Sequence, residues 1–326
     1  MSKKKALIVG GTGQIGLYLA RYLLSKNYLI YITTRKLKKK SIKNAKFLGI
    51  NKKINFKILK SFTIQNIENL FNEHMPDEIY YLAGQSYPSK SFLKKKETIK
   101  SNTVGCKNFL EIIKKNSYKC KFFNACSSEI FGSHKKNVNI NSKKNPVNPY
   151  GEAKLISYEI TKEYRNKYKI NSYNGIIFNT ESYLRPKNFL IPKICLSAIS
   201  SLRNKNKIYY FGNLNISREW NWCEEQVKLI WKFLQRKPQD FLLSNGKNFT
   251  AKEMLTFAFD YFNLDYRKFV KTSKAFKRLK DITFIKSNLE NQFKKNKIEN
   301  NNKIYGKKLI IKLIKFYINK NYNSKK

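Results

Sequence analysis

The chain reads as an α/β protein: a Rossmann-type, doubly wound parallel sheet followed by a smaller, mixed α/β lobe. Three observations predict this. Short β-branched and apolar runs alternate with longer amphipathic stretches through the first half. A glycine-rich turn, Gly10-Gly11-Thr12-Gly13-Gln14-Ile15-Gly16, joins the first such run to the first amphipathic stretch. After about residue 180 the alternation loses its regularity, which marks the second lobe.

Taken in order, the predicted strands are Ala6–Val9, Leu29–Thr33, Asn55–Leu59, Glu78–Leu82, Lys121–Ala125 and Ser172–Phe178. Each contains β-branched, aromatic or leucine residues and has the length a sheet strand needs. The helices expected between them include Gly16–Ser25, Ile64–Asn72, Asn102–Lys115 and Tyr150–Tyr168. Beyond them we expect a helix at Ile191–Ser201, a strand at Ile208–Phe211, and helices at Glu225–Gln235 and Lys252–Phe262. The last apolar stretch, Lys308–Ile318, has helical spacing with interleaved lysines and is expected to pack on the smaller lobe; a membrane-surface helix is the other reading. The expected division is residues 1–180 for dinucleotide binding and 181–326 for substrate, with some segments crossing between lobes.

Composition bounds the function. At 326 residues the chain can bury a large core, and no stretch is long and apolar enough to span a membrane. Met1-Ser2-Lys3-Lys4-Lys5 runs straight into the first strand, so no signal peptide is expected and the location is expected to be cytoplasmic. The five cysteines, Cys106, Cys120, Cys126, Cys195 and Cys223, lack metal-ligand spacing and read as reduced core thiols; no metal is expected. The net charge of +46 could suggest a nucleic-acid partner. Lysine outnumbers arginine 58 to 9, however, and is spread from end to end in a chain rich in Asn, Ile and Tyr. That pattern is coding bias rather than a built interface, which would cluster its charge and use arginine. No specific nucleic acid and no membrane are expected as partners.

The glycine-rich turn has the chemistry of a phosphate cradle. Gly10, Gly13 and Gly16 allow a tight turn, close backbone approach to a pyrophosphate, and close helix–sheet packing. The helix that follows offers its N–H groups and positive dipole end to the phosphates. At the end of the second strand stands Thr33-Thr34-Arg35-Lys36. An acidic residue there would suit the ribose 2′-hydroxyl of NAD, whereas Arg35 suits a 2′-phosphate and so points to NADP.

The catalytic candidates are Ser127, Glu129, Tyr150 and Lys154. Ser127-Ser128-Glu129 sits where the fifth strand ends, on the carboxyl edge where open α/β sheets bind ligands. Tyr150 and Lys154 share one face of the next helix. There the ammonium can lower the phenol from its usual pKa of about 10, and the phenol can take a proton from a sugar hydroxyl as hydride leaves the same carbon. Glu129 adds an acid/base that simple alcohol oxidation does not need.

The phosphate loop, strand-end serine and Tyr-x-x-x-Lys pair, in this order, resemble the extended short-chain dehydrogenase/reductase superfamily. Closer matches are Pro76-Asp77-Glu78-Ile79-Tyr80-Tyr81-Leu82-Ala83-Gly84-Gln85-Ser86, Ser127-Ser128-Glu129-Ile130-Phe131-Gly132, Asn174-Gly175-Ile176-Ile177-Phe178-Asn179-Thr180-Glu181-Ser182, and Tyr210-Phe211-Gly212-Asn213-Leu214 with Arg218-Glu219-Trp220. These resemble the GDP-mannose 4,6-dehydratase family from residue 5 to roughly residue 290. The resemblance implies that Tyr150 deprotonates the hexose 4-hydroxyl, Ser127 hydrogen-bonds the 4-oxygen, and Lys154 holds the nicotinamide ribose. Glu129 would then remove the C5 proton and assist loss of the C6 hydroxyl as water, with hydride passing out and back through NADP. It implies cofactor contacts at Gly10, Gly13, Gln14, Ile15, Gly16, Arg35, Leu82, Ala83, Gln85, Lys154, Thr180 and Arg185. Substrate contacts are implied at Ser86, Asn179, Asn188, Lys193, Arg218 and Arg278, with GDP-mannose as substrate and a homo-oligomer, dimer or tetramer, as the assembly.

The chain also departs from that pattern. Thr180 stands in place of a histidine, Gly84 of an alanine, Asn221-Trp222 of a Gly-His pair, Leu59-Lys60 of an Asp-Leu pair and Pro192 of an arginine. Lys36-Leu37 half-matches the basic segment used in tetramer contacts. His74 and His134 lie outside the constellation. Two other readings remain at this point: a nucleotide-sugar reductase or epimerase, which has no need of Glu129, and a catalytically weak binding paralogue.

Overall fold

The computed structural model describes residues 2–276 and 281–323. The first half runs β1 (Lys5–Val9), α1 (Gln14–Leu24), β2 (Leu29–Thr34), α2 (Lys39–Phe47), β3 (Ile54–Ile58), α3 (Ile64–His74), β4 (Glu78–Tyr81), the short α4 (Pro88–Ser91), α5 (Lys95–Lys115), β5 (Lys121–Ser127), α6 (Pro149–Tyr168) and β6 (Ser172–Ile177). The second half runs β7 (Thr180–Glu181), α7 (Leu190–Ser201), β8 (Tyr209–Phe211), β9 (Ser217–Arg218), β10 (Asn221–Trp222), α8 (Cys223–Leu234), β11 (Asp240–Leu243), β12 (Phe249–Thr250), α9 (Ala251–Asp260), β13 (Val270–Thr272), α10 (Glu290–Asn296) and α11 (Gly306–Asn323).

Seven strands form one sheet in the order β11-β6-β5-β4-β1-β2-β3, and every pairing within it is parallel. Successive side chains of a strand point to opposite faces. Ala6 and Ile8 therefore join Ile30, Ile32, Tyr80 and Phe123 under α1 and α8. Leu7 and Val9 join Ile79, Tyr81 and Phe122 under α3 and α5. Burial on both faces explains why these strands read as continuous apolar runs. The order reverses between β1 and β4, so the crevice at their carboxyl ends is where a ligand is expected.

All seven strands and all the helices expected from the sequence are present, with ends that shift by up to seven residues. The largest shift is in α5, which begins at Lys95 rather than Asn102, because its polar first turns carry no apolar stripe. The elements not foreseen are α2, the short α4, β7, β9, β10, β11, β12, β13 and α10. Helix α2 is lysine-rich and buries only Ser41 and Ala45, and β11 is a four-residue strand hidden in a loop-like context. The chain after residue 180 does not stay in one lobe. Helix α8 and β11 return to the large sheet, and Ile282, Ile285, Leu289, Phe293 and Ile298 pack into its core.

The smaller lobe has its own core of Ile191, Ile194, Trp220, Trp222, Met254, Leu255 and the inward face of α11, namely Leu309, Ile310, Leu313, Ile314 and Tyr317. That face is thus spent on protein packing, and among the described residues no helix is long and apolar enough to cross a membrane. Glu219 ties the returning segment to the lobe. Its buried carboxylate accepts from Gly246 N at 2.8 Å, from Ser287 Oγ at 3.1 Å, and from the Ser244 hydroxyl and Ser287 N–H.

Candidate active site

A cleft of about 460 Å³ opens at the carboxyl edge of the sheet, between the glycine-rich turn, the ends of β4, β5 and β6, and the smaller lobe. Its size suits a cofactor or small-molecule ligand. Gly10, Gly13, Gln14, Ile15, Gly16, Leu82, Ser86, Ser127, Glu129, Tyr150, Lys154, Asn179, Thr180, Arg185 and Arg218 all line it. Residues 208 apart in the chain therefore meet in one place, as Gly10 and Arg218 do.

The turn is built for a close ligand. Gly10 has φ +70°, and a Cβ on it would lie 2.8 Å from Ala83 Cα, which places Ala83 behind the loop rather than in the cleft. A Cβ on Gly16 would strike Gly11, whereas one on Gly13 would meet nothing within 4 Å. Gly13 is also the N-cap of α1 and brings no side chain to cap it. The open face of the loop and the N-terminus of α1 thus fit the pyrophosphate of a dinucleotide.

The catalytic candidates converge behind that loop. Pro149 at the first position of α6 and Asn148 as its cap start the helix where Tyr150 and Lys154 face the end of β5. Tyr150, Lys154 and Ser127 are buried, at 9%, 5% and 8% exposure. Lys154 Nζ donates to the Ala125 carbonyl at 2.9 Å and lies 5.9 Å from the centre of the Tyr150 ring. Glu129 N donates to Ser127 Oγ at 3.3 Å, and Glu129 Oε2 accepts from Asn148 Nδ2 at 2.7 Å.

The electrostatics differ from the simple expectation of a phenol lowered by its lysine. Burial is the largest influence on Tyr150 and pushes the phenol up; the Ser127 hydroxyl and the more distant Arg185 charge draw it down, while Glu129 raises it. The same burial pushes the Lys154 ammonium down. Excluding water penalises both charged forms.

Several predicted residues have structural work of their own. Gln14 donates to the Thr180 carbonyl at 2.9 Å and accepts from Ser182 Oγ at 2.7 Å, so it joins the turn to β7. Thr180 donates to the Phe178 carbonyl at 3.0 Å. Gln85 does not line the cleft; its side-chain amide donates to the Tyr87 carbonyl at 2.8 Å and braces its own loop. Arg185 stacks its guanidinium over Phe189 at 3.6 Å, with Nε 3.5 Å from Glu181 Oε1. Arg218 is buried and pairs with Asp281 at 3.0 Å. Lys193 donates to the Tyr210 carbonyl and lies over the rings of Phe211 and Phe276, away from the cleft lining. Asn188 is exposed on the turn before α7 and does not line the cleft. Arg35 is exposed just past β2 and does not line it either. Arg278 lies outside the described residues.

Sequence reading missed Lys38, Lys40, Ser41 and Asn44, which line the cleft from α2 and its approach. In so lysine-rich a chain nothing distinguished these cations. It also missed Glu181, buried in the lining, whose carboxyl is pushed up to about 7 by burial, with Arg185 opposing. Its place inside a quoted motif was the available signal. Neither histidine reaches the cleft: His74 is buried and stacks on Tyr31, and His134 meets the Lys143 carbonyl. Among the described residues no group of three His, Cys, Asp or Glu side chains could hold a metal ion.

A family model described as GDP-mannose 4,6 dehydratase matches residues 7–307. The chain belongs to that family. It is 32% identical over 269 residues to a GDP-mannose 4,6-dehydratase of Vibrio cholerae serotype O1, covering 78% of this chain and 71% of that one. With GDP-mannose 4,6 dehydratase 1 of Arabidopsis thaliana it shares 28% over 295 residues, or 87% and 82% of the two chains. A crystal structure of dTDP-glucose 4,6-dehydratase from Bacillus anthracis, solved in complex with NAD, superposes with a TM-score of 0.82, covering 96% of each chain at 17% identity. The fold is therefore the extended Rossmann fold of this dehydratase family, and the motifs that carried the resemblance lie within the matched span.

Proposed function

We propose that this chain is an NADP-dependent nucleotide-sugar 4,6-dehydratase that converts GDP-mannose to GDP-4-dehydro-6-deoxy-mannose and water. The observation that carries the reading is Glu129, a carboxylate lining the same cleft as Ser127, Tyr150 and Lys154. Membership of the GDP-mannose 4,6-dehydratase family supports the substrate.

When bound, the nicotinamide supplies a two-electron acceptor for the hydride of C4 and returns that hydride at C6. Gly10, Gly13 and the start of α1 would hold its pyrophosphate. Arg35, Lys38 and Lys40, with no acidic residue at the end of β2, favour a 2′-phosphate and hence NADP. Tyr150 takes the proton of the substrate 4-hydroxyl, with the Ser127 hydroxyl donating to the same oxygen. Lys154 would orient the ribose, while the Ser127 hydroxyl and the Arg185 charge are the groups that draw the Tyr150 phenol down. A 4-ketone makes the C5 proton acidic. The Glu129 carboxylate takes it, the C5–H electron pair forms the C5–C6 double bond, and the C6 hydroxyl leaves as water with the proton Glu129 received. Once hydride has added at C6, C5 takes the proton that Tyr150 received from the 4-hydroxyl, which restores both groups. A reductase or epimerase has no use for that carboxylate. Arg218, Ser86 and Asn179, which line the same cleft, would meet the diphosphate and sugar.

The decisive assay incubates the protein with GDP-mannose and catalytic NADP⁺. A 4-keto-6-deoxy product without net cofactor reduction is expected; no product, or stoichiometric cofactor consumption, overturns the reading. We also infer a homo-oligomer, because Val104 on α5 and Ile156 on α6 are exposed apolar side chains on helices that pack side by side. Light scattering on the purified protein tests it, with a dimer or tetramer expected. Five free, buried cysteines accord with a reducing, cytoplasmic setting.

A further inference from the structure

Asn148 does two jobs with one amide. As the N-cap of α6, its Oδ1 accepts from Gly151 N at 2.9 Å. Its Nδ2 donates to Glu129 Oε2 at 2.7 Å. Only this orientation of the amide suits both neighbours, because one offers an N–H and the other a carboxylate oxygen. Asn148 is 3% exposed and does not itself line the cleft, whereas Glu129 does. The two segments also touch through their backbones: a Cβ on Gly151 would lie 2.7 Å from the Glu129 carbonyl oxygen.

Capping alone does not call for this residue. Serine or aspartate caps a helix about as well. What they lack is a donor rigidly coupled to the capping oxygen. A planar amide fixes the direction of its N–H groups once its oxygen is engaged, so the start of α6 dictates where the Glu129 carboxylate sits. That helix also carries Tyr150.

Resting on the dehydratase reading above, we propose that Asn148 is a positioning residue for water elimination, holding the Glu129 carboxylate in register with the Tyr150 helix so that one bound sugar presents its C4 hydroxyl and C5 proton to both. The step it serves is the transfer of the C5 proton to Glu129 as the C6–O bond breaks. At 2.7 Å the bond has the length of a charge-assisted hydrogen bond to a carboxylate oxygen.

Two measurements test it. Asn148→Ser keeps the cap and removes the donor. With GDP-mannose, kcat is expected to fall about 10- to 100-fold at unchanged KM, and C5-deuterated substrate is expected to show an enlarged isotope effect on kcat. Wild-type kcat in Asn148→Ser, or a fall with no change in the isotope effect, overturns the proposal. The second measurement uses no substrate: urea unfolding of wild type, Asn148→Ser, Glu129→Ala and the double variant. A coupling of about tenfold in the unfolding constant is expected; independent effects show that the contact is not held and overturn it. If the wild type forms no 4-keto-6-deoxy product, the proposed reaction fails, while the unfolding cycle still decides whether Asn148 holds Glu129.

Discussion

Gly16 sits directly against Gly11: a Cβ on Gly16 would lie 2.3 Å from the Gly11 carbonyl oxygen and 2.4 Å from its Cα. Gly13, between them in sequence, faces open space within the cleft. The two glycines are therefore needed for different reasons. Gly16→Ala is expected to cost about 2 kcal/mol of stability, since backbone must move to admit the methyl. Gly13→Ala, at φ −78° and ψ 176°, is expected to leave stability within about 0.5 kcal/mol of wild type. It should nonetheless weaken dinucleotide binding at least tenfold, because its methyl enters the phosphate face. Chemical denaturation and cofactor titration on both variants check this; equal stability losses would refute the distinction.

Glu129→Gln keeps the shape and the hydrogen-bonding reach toward Asn148 but removes the base. We expect product formation to fall roughly 10²- to 10⁴-fold with NADP affinity intact. Tyr150→Phe is expected to fall comparably. The two differ in partial chemistry: Tyr150→Phe should block C4 oxidation itself, whereas Glu129→Gln should permit oxidation and stop before water loss. Single-turnover absorbance of the nicotinamide distinguishes them.

Lys38 and Lys40, rather than Arg35, line the cleft. The Lys38→Ala, Lys40→Ala double variant is expected to lose about tenfold or more in NADP affinity while NAD affinity changes little. The loss should shrink as salt rises, since these side chains are exposed. Calorimetric titration with both cofactors decides; a larger effect from Arg35→Ala alone would make Arg35, not the two lysines, the principal 2′-phosphate contact.

Glu181 is buried and its carboxyl is pushed up to about 7 by burial, against the pull of Arg185. In the unfolded chain a glutamate titrates near 4.3. The folded state thus holds an extra proton between those values, so this group makes stability fall as pH rises through that window, with the penalty complete above about 7. By linkage the penalty is roughly 4 kcal/mol. Glu181→Gln is expected to flatten the decline between pH 5 and 8, read from urea unfolding at each pH. An unchanged slope would show that Glu181 does not set it.

Much of the fold was legible because its determinants are local. The central strands β1 and β4 stand out as apolar runs, since burial on both faces removes any need for polar alternation, whereas the edge strand β3 alternates Ile54, Phe56 and Ile58 with Asn55 and Lys57. Helix α2 was not legible: its surface is nearly all lysine and it buries two small residues. β11 was missed because a four-residue strand at the sheet edge has too few residues to declare a period.

Local pattern was enough to define the phosphate turn, the Tyr150–Lys154 pair and the strand-end Ser127 and Glu129. These rest on spacings within one turn or one strand–helix junction, and neighbouring residues carry them wherever the rest of the chain goes. Tertiary structure alone decided which cations face the cleft, that Arg218 meets Asp281, that Gln14 serves β7, and that Asn148 reaches Glu129. Such pairings join segments far apart in the chain or separated by a loop. Their geometry is set by how sheet and lobe pack, and local pattern holds no record of it.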